Sequence, residues 1–321
     1  MTPTPLEEAT LAGRRLLLKR EDVHELGAFK WRGALPVLER YAADGADAVV
    51  TASTGNHGAA TAWAAARLGL EAVVYAPATA SRAKLTLIED LGAEIRQTGV
   101  DLDEAKEEGR AHASRQGLPF FEDGAEQAQY EGYGAIGDEI LAQALEPPSA
   151  IVVPLGNGAL LGGIGLAVCK AAPEIERVGV AAKEAPVMVE SWNAGEPVPS
   201  ERSATFADGL AVRVAIPLAV EVLGEVASRM LIVSERQLAH AVSEFADSGI
   251  RAEGAAAAGL AAVPALEDLG DPLVLGRFRP TLPSQHGFDP GEQLRAAERL
   301  RDVVIGPHLQ PNDPIDLATL G

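Results

Sequence analysis

The sequence predicts an α/β protein with two doubly wound open sheets in two domains. The first observation is a set of short apolar runs, rich in valine and typical of buried strands: 47–53, 71–77, 149–156 and 177–184. Second, helical segments separate these runs with short joints, which favours parallel strands and right-handed crossovers. Third, a length of 321 residues corresponds to about two domains.

The first series of elements predicts the smaller domain, residues 46–134. The strand "DAVVTAS" precedes the alanine-rich helix "HGAATAWAAARLG", in which Gly69 is placed as the C-terminal cap, and the strand "EAVVYAP" follows. A helix around "SRAKLTLIEDLG", a strand "AEIRQTG" and the charged helix "DLDEAKEEGRAHASRQG" continue the alternation.

The second series predicts the larger domain, residues 1–45 and 135–321. A helical "GYGAIGDEILAQALE" leads to the strand "SAIVVPLG", a glycine-rich loop, the helix "GGIGLAVCKAAP" and the strand "RVGVAAKE". Beyond Leu266, proline, glycine and charged residues are mixed around one brief strand-like run, "PLVL". We expect the proline-punctuated C-terminal segment to be a surface tail.

Composition argues against several kinds of partner. The chain carries 27 basic and 46 acidic side chains, and its net charge of −19 disfavours nucleic acid and anionic membranes. A single cysteine, Cys169, cannot form an internal disulfide and suits a reducing compartment. The N-terminus is acidic where a signal peptide needs an apolar run, and the stretch "GAAAAGLAAVPAL" is shorter than the about 20 residues that span a bilayer. We expect a soluble, cytoplasmic protein.

A glycine-rich loop, "GNGALLGG" (156–163), lies between a predicted strand and a predicted helix. Glycines there let backbone amides approach an anion, and the helix N-terminus adds its positive dipole end. A dinucleotide fingerprint is the rival, since Glu184 ends the next strand, but its third glycine would fall at Leu161. The spacing favours a phosphate site, and tight helix–sheet packing remains an alternative.

A second loop, "STGNHG" (53–58), also joins a predicted strand end to a helix start. Its hydroxyls and the amides of the helix N-terminus favour an anion, at the edge where open α/β sheets bind ligands. The alternative is simple N-capping by Ser53, Thr54 or Asn56.

Lys30 is the third feature, one of only six lysines in the chain. In "HELGAFKWRGAL" it stands between two aromatic rings with glycines on either side. Its stem could lie on the rings with the amine in water. A lysine near a phosphate loop instead suggests a Schiff base with a phosphorylated aldehyde.

These motifs resemble those of the fold type II pyridoxal-phosphate enzymes, the group of threonine dehydratase, serine racemase and threonine synthase. "LKREDVHELGAFKWRGA" is similar to the dehydratase lysine motif, and "TFADGLAV" (205–212) and "AEGAAAAGLAAV" (252–263) are similar to two further dehydratase signatures. The resemblance spans about residues 14 to 265 and implies a larger cofactor-binding domain and a smaller substrate-binding domain.

The resemblance also implies roles for individual residues. Lys30 would form the Schiff base with the cofactor and act as the catalytic base. The cofactor would be bound by Phe29, Lys30, Asn56, Glu253 and the loop Gly156, Asn157, Gly158, Ala159 and Leu160. The substrate carboxylate would be bound by Ser53, Thr54, Gly55, Asn56 and His57.

Some positions depart from the family pattern. Ala28 replaces a serine, Trp31 favours a dehydratase over a synthase, and the methyl group of Thr54 disfavours racemisation. The family turn that supplies a hydroxyl to the pyridine nitrogen is degraded here to Gly276 and Arg277. Thr281 or Ser284 could substitute for it.

A metal site is a further expectation. In "KEAPVMVESW" the carboxylates of Glu184 and Glu190 bracket the carbonyl of Met188, a spacing at which relatives bind a divalent cation. Oxygen ligands suit Mg²⁺ or Ca²⁺. The alternative is two solvated glutamates.

The resemblance implies β-elimination from L-threonine or L-serine, giving a 2-oxo acid and ammonia, in a homodimer. Four alternatives remain open: β- or γ-replacement, racemisation, a non-catalytic binding protein on the same fold, and a nicotinamide oxidoreductase.

Overall fold

The computed structural model describes residues 2–200, 203–268 and 273–277. Its strands are β1 (Leu6–Leu11), β2 (Arg14–Arg20), β3 (Ala48–Ala52), β4 (Glu71–Ala76), β5 (Glu94–Gln97), β6 (Ala150–Pro154), β7 (Glu176–Ala182), β8 (Arg229–Val233) and β9 (Leu273–Arg277). Its α-helices are α1 (Trp31–Ala43), α2 (Asn56–Leu68), α3 (Arg82–Asp90), α4 (Leu102–Gln116), α5 (Gln127–Gln143), α6 (Ala159–Ala171), α7 (Val187–Ala194), α8 (Pro217–Val226), α9 (Glu235–Asp247) and α10 (Gly254–Ala262). The two predicted sheets are both present, and the α/β class is confirmed.

The smaller sheet is parallel and has the strand order β3-β4-β5. Val49, Val50 and Val74 are fully buried in it, which explains the continuous apolar runs. Helix α2 lies against β4, and its fully buried alanines Ala60 and Ala64 belong to the same core cluster as Val74 of β4. The carboxyl ends of β3 and β4 therefore lead into loops on one edge of this sheet.

The larger sheet has the order β1-β2-β9-β6-β7-β8. The run "PLVL", predicted only as a brief strand, lies at its centre: Leu275 pairs with Leu18 of β2 and with Val152 of β6. Because Leu273, Val274 and Leu275 are almost completely buried, β9 is a core strand.

The N-terminal hairpin was not predicted. β1 and β2 pair antiparallel across a turn in which Ala12 and Gly13 both have positive φ, 51° and 70°. Two positive φ values in a two-residue turn match the twist of a hairpin. Leu16 and Leu18 of β2 pack into the main core.

Helices α5 and α6 pack closely because glycines line their contact. A side-chain carbon on Gly163 would lie 2.6 Å from the carbonyl oxygen of Tyr130, and one on Gly137 would lie 3.0 Å from that of Ile164. The predicted boundary between the domains, at residues 134 and 135, falls inside α5, and the domain bounds stay a prediction. In the described ranges, no helix is both long and apolar enough to cross a membrane.

Candidate active site

Lys30 directs its amine into the protein. It immediately precedes α1, after a turn in which Gly27 adopts a φ of +62° and donates its amide to the carbonyl of His24. The Lys30 side chain is only 15% exposed, and its Nζ lies 5.1 Å from the centre of the Phe29 ring. Phe29 in turn packs edge-on against Tyr133, with ring centres 5.2 Å apart. A surface lysine with its head in water does not fit this geometry.

Asp123, which the sequence analysis did not single out, contacts that amine. Its Oδ2 lies 2.5 Å from Lys30 Nζ, and its other oxygen, Oδ1, accepts a hydrogen bond of 2.7 Å from Nε2 of the fully buried Gln129. Gln129 also accepts the backbone amide of Gly124 at 2.7 Å. Burial alone would raise the pKa of Asp123, but the ammonium of Lys30, helped by His57 and by hydrogen bonds, holds it well below its usual range.

The segment that carries Asp123 is anchored to the smaller sheet, to helix α5 and to the loop that follows β6. Phe121 donates its amide to the carbonyl of Val50 in β3. Tyr130 of α5 donates its hydroxyl to the carbonyl of Gly124 at 2.8 Å, and Asn157 donates its side-chain amide to the carbonyl of Asp123 at 3.1 Å. Asp123 thereby links Lys30 to the glycine-rich loop.

The loop 53–57 connects the end of β3 to the start of α2. The Ser53 hydroxyl accepts the amide of Gly55 at 3.1 Å and closes the turn, and the residue at the N-cap is Gly55. No side chain caps this helix in the described structure, so the simple capping interpretation is not supported. The amides of the first turn of α2, including those of Asn56 and His57, point to this edge.

His57 is buried beside Asp123. Its Nδ1 lies 3.7 Å from Asp123 Oδ1, and its Nε2 lies 3.0 Å from Oγ1 of Thr51. Since the Thr51 hydroxyl donates to the carbonyl of Phe121, Nε2 of His57 is the donor towards Thr51. Burial lowers the pKa of His57, against the opposing influence of Asp123, so this imidazole is neutral at physiological pH.

The glycine-rich loop joins β6 to α6 and lies next to the segments 205–212 and 252–263, the two further family signatures. Gly158 has a φ of +89°, and Ala159 donates its amide to Asn157 Oδ1 at 3.2 Å. A side-chain carbon on Gly156 would lie 2.4 Å from the carbonyl oxygen of Gly209, and one on Gly209 would lie 4.0 Å from Oε1 of Glu253. The predicted phosphate loop, the segment 205–212 and the start of α10 therefore meet.

The remaining expectations concern the partner of the pyridine nitrogen and the dinucleotide fingerprint. Thr281 and Ser284 lie outside the described residues, and Gly276 and Arg277 extend β9 beside Lys19 and Arg20. Leu161 is fully buried in the main core, where a dinucleotide fingerprint needs its third glycine.

The predicted metal ligands lie around the start of α7. Glu184 follows β7, the side chain of Met188 is buried, and Glu190 is in the first turn of α7. Across the described part of the chain, no three or more His, Cys, Asp or Glu residues are grouped to hold a metal ion.

Comparison with known proteins identifies the family. The family model described as "Pyridoxal-phosphate dependent enzyme" matches residues 1–273. The chain is 37% identical over 202 residues to the chloroplastic biosynthetic threonine dehydratase of Arabidopsis thaliana, covering 63% of this chain and 34% of that protein. It is 33% identical over 260 residues to the L-threonine ammonia-lyase of Thermotoga maritima, covering 80% and 64%.

A solved structure agrees with these matches. The processed form of threonine deaminase isoform 2 from Solanum lycopersicum superposes with a TM-score of 0.84 at 25% identity, over 92% of this chain and 87% of that one. The chain spans from about a third to about two thirds of the length of the curated relatives just named. Because the family model covers most of its length, the chain belongs to the family of pyridoxal-phosphate dependent enzymes.

Proposed function

We propose that this chain is a pyridoxal-phosphate dependent lyase that eliminates water from L-threonine or L-serine and so yields a 2-oxo acid and ammonia. The observation that carries the proposal is the Lys30 amine, which is largely shielded from water and contacts Asp123, whose other contacts reach Asn157 and His57 in the two predicted anion loops. The names of the relatives, threonine dehydratase and L-threonine ammonia-lyase, support the choice of reaction.

The described residues fit the cofactor. Gly156 packs directly on the segment of Gly209, because a side-chain carbon at position 156 would lie 2.4 Å from the Gly209 carbonyl oxygen. The backbone amides that follow it, at the N-terminus of α6, suit a phosphate. Lys30 would hold the cofactor's carbonyl end, the amides of 156–160 its phosphate, and Phe29, Asn56 and Glu253 its ring. When bound, pyridoxal phosphate acidifies the Cα proton of an attached amino acid by delocalising the resulting charge.

The chain's own residues would then do three things. The first-turn amides of α2 and the Ser53 loop would bind the substrate carboxylate, and the neutral His57 adds no charge beside them. Lys30 Nζ takes the Cα proton as the general base. The packing of Phe29 on Tyr133 and the low exposure of Lys30 keep bulk water from the reacting atoms.

The test is a visible absorption spectrum of the purified protein with pyridoxal phosphate, followed by assays for ammonia and 2-oxo acid from L-threonine and L-serine. We expect a visible band, and 2-oxo acid from at least one substrate. A band with product only in the presence of a second nucleophile would indicate replacement, and a band with inversion at Cα would indicate racemisation. Absence of the band would favour a binding protein.

We also propose a divalent cation, Mg²⁺ or Ca²⁺, bound by Glu184, the Met188 carbonyl and Glu190. The supporting observation is Glu235: its Oε1 is buried without a partner among the described residues, and burial, with the nearby Glu184, raises its pKa. A cation there would relieve the crowding of negative charge. Mg²⁺ or Ca²⁺ should raise the melting temperature of the wild type and not of Glu184→Gln.

Assembly and location are the remaining proposals, and both come from the family resemblance and composition. We propose a homodimer in the cytoplasm. Analytical ultracentrifugation would measure the mass in solution, and a species at twice the 33.4 kDa chain mass is the expected result.

A further inference from the structure

Asp123 is a partly buried carboxylate that contacts the Lys30 amine, and the proposed function gives it no part in the reaction. Its backbone and side chain are each held: Gln129 orients one carboxylate oxygen, Asn157 the carbonyl, and Gln129 and Tyr130 bind the amide and carbonyl of Gly124. The oxygen that remains, Oδ2, is directed at Lys30 Nζ. A carboxylate held this firmly points in a fixed direction.

The neighbour Glu122 provides a contrast. Its carboxylate pairs with Lys106 and Arg110 of α4, and the Arg110 side chain is 47% exposed. The side chains of Glu122 and Asp123 are both partly buried, 19% and 25% exposed, so the two acids differ in their partners. Glu122 pairs with two cations of α4, whereas Asp123, the next residue, contacts the amine of Lys30.

We propose that Asp123 is a positioning residue for Lys30: its carboxylate fixes the amine and favours the ammonium that Lys30 becomes when it takes the Cα proton. The C–H bond at Cα breaks, the N–H bond at Nζ forms, and the electron pair stays with carbon. A base whose protonated form is stabilised by an adjacent anion is a stronger base. This inference rests on the proposed function for the identity of the proton.

The surroundings allow Asp123 to do this as an anion. Although burial favours its neutral form, the pKa of its carboxyl is held well below the usual range. The titratable groups that face the Lys30–Asp123 pair or its neighbours are His57 of α2, Lys106 of α4, and Tyr130 and Tyr133 of α5. Burial lowers the pKa of His57 and raises those of both tyrosines, so at neutral pH Asp123 is the anion of this group nearest to Lys30.

The first test measures Lys30 without the cofactor. The full chain is treated at one pH near neutrality with trinitrobenzenesulfonate, which reacts with neutral amines, and the labelling rate of Lys30 is followed by peptide mass spectrometry. Asp123→Asn should increase this rate about tenfold, the lower end of the effect of an opposite charge at contact distance. Glu122→Gln, the matched control, should leave it unchanged.

The second test uses the cofactor-loaded protein and the pH at which its visible band changes. In Asp123→Asn this transition should move about one pH unit lower, and Asp123→Glu should restore part of the shift. A purely structural role would alter the melting temperature and leave the transition in place. The unmodified protein should keep its long-wavelength band into the alkaline range, a measurement that requires no variant to fold.

The outcomes separate the two proposals. Equal labelling of Lys30 in the wild type and Asp123→Asn, or loss of the wild-type band near neutral pH, would overturn the role of Asp123. Faster labelling in Asp123→Asn in a chain that forms no 2-oxo acid would support that role and reject the lyase activity.

Discussion

Two lysines from the same N-terminal segment, Lys19 and Lys30, contact carboxylates in different ways. Lys19 is fully buried, and its three N–H groups reach the carbonyl of Thr4 at 2.6 Å, Glu139 at 2.7 Å and Gln143 at 3.2 Å. Lys30 has one described carboxylate contact, with Asp123, and lies over the Phe29 ring. All three N–H donors of Lys19 are used in hydrogen bonds, which fixes this amine in place, whereas the described contacts of Lys30 use one donor.

The Lys19 cluster is held together by Arg32, which stands two residues after Lys30. The guanidinium of Arg32 forms two hydrogen bonds to the fully buried Glu21, at 2.7 and 2.9 Å, and two more to Glu139. Burial lowers the pKa of Lys19 even though Glu139 opposes this effect. The motif "LKRED…FKWRGA" therefore contains a buried ion cluster around Lys19 and the amine of Lys30, which we propose to react.

The largest expected effect comes from the reactive amine. Lys30→Ala should abolish the visible band and reduce turnover by at least about a thousandfold, because the group that binds the cofactor and takes the proton is removed. Circular dichroism should remain close to that of the wild type. Full activity in this variant would exclude Lys30 as the catalytic base.

The second prediction concerns the structural cluster. Arg32→Leu should destabilise the fold by about 3–5 kcal/mol, since Glu21 would stay buried without its cation. Urea unfolding measures this, and Arg40→Gln is the matched control. The Arg40–Glu131 pair is more than half exposed, so its loss should cost less than about 1 kcal/mol. Similar losses in the two variants would mean that burial does not distinguish the pairs.

Most of the fold follows from local sequence patterns, and the exceptions have physical causes. Valine runs and alanine-rich helices mark their elements because burial and helix packing act over short segments. The sequence predicts β9 only as a brief strand-like run, because one apolar run amid prolines and glycines does not reveal that β2 and β6 pair with it on either side. The hairpin β1–β2 has a short turn, "AG", without the usual asparagine or aspartate signal.

The candidate site also has features that the sequence predicts and features that it does not. The positions of both glycine-containing loops before helices α2 and α6 could be predicted because glycine spacing and helix N-termini constrain the chain locally, and their binding of anions stays a prediction. Asp123 could not be predicted, because its contact with Lys30 joins residues 93 apart in the sequence. In a chain with 46 acidic residues, one more aspartate carries no signal of its own. Gln129, which orients it, resembles any polar residue of a helix.

The third prediction tests the predicted phosphate loop, residues 156–160. Gly156→Ala should weaken pyridoxal-phosphate binding about tenfold, because the added carbon would lie 2.4 Å from the carbonyl oxygen of Gly209 and push the two loops apart. Equilibrium dialysis measures the affinity. Gly224→Ala in α8 is the control: its added carbon meets no atom within 4 Å, and binding should not change. Unchanged binding in Gly156→Ala would place the phosphate elsewhere.

The fourth prediction has the smallest expected effect and concerns His24, which lies between Lys19 and Lys30 in the sequence. Its ring stacks on Trp31 with centres 4.3 Å apart, and its Nδ1 accepts the amide of Leu26 at 3.2 Å. Burial lowers the pKa of His24 to about 4, with Arg32 and Arg67 adding to the effect and Glu25 opposing it. A neutral imidazole is therefore part of the folded state.

This shift predicts how stability depends on pH. Below the ordinary histidine pKa of about 6.5 the unfolded chain binds a proton that the folded chain does not, so stability should fall from about pH 6.5 towards 4. His24→Phe keeps an aromatic ring on Trp31 and should flatten that slope by up to one proton, as measured by urea unfolding across the range. His57 and His112, whose pKa values burial also lowers, and Glu235, whose pKa burial raises, contribute to the slope in the same range, so the difference between the wild type and His24→Phe isolates the part due to His24. An identical slope in the variant would show that His24 titrates normally and that its stacking on Trp31 does not exclude water.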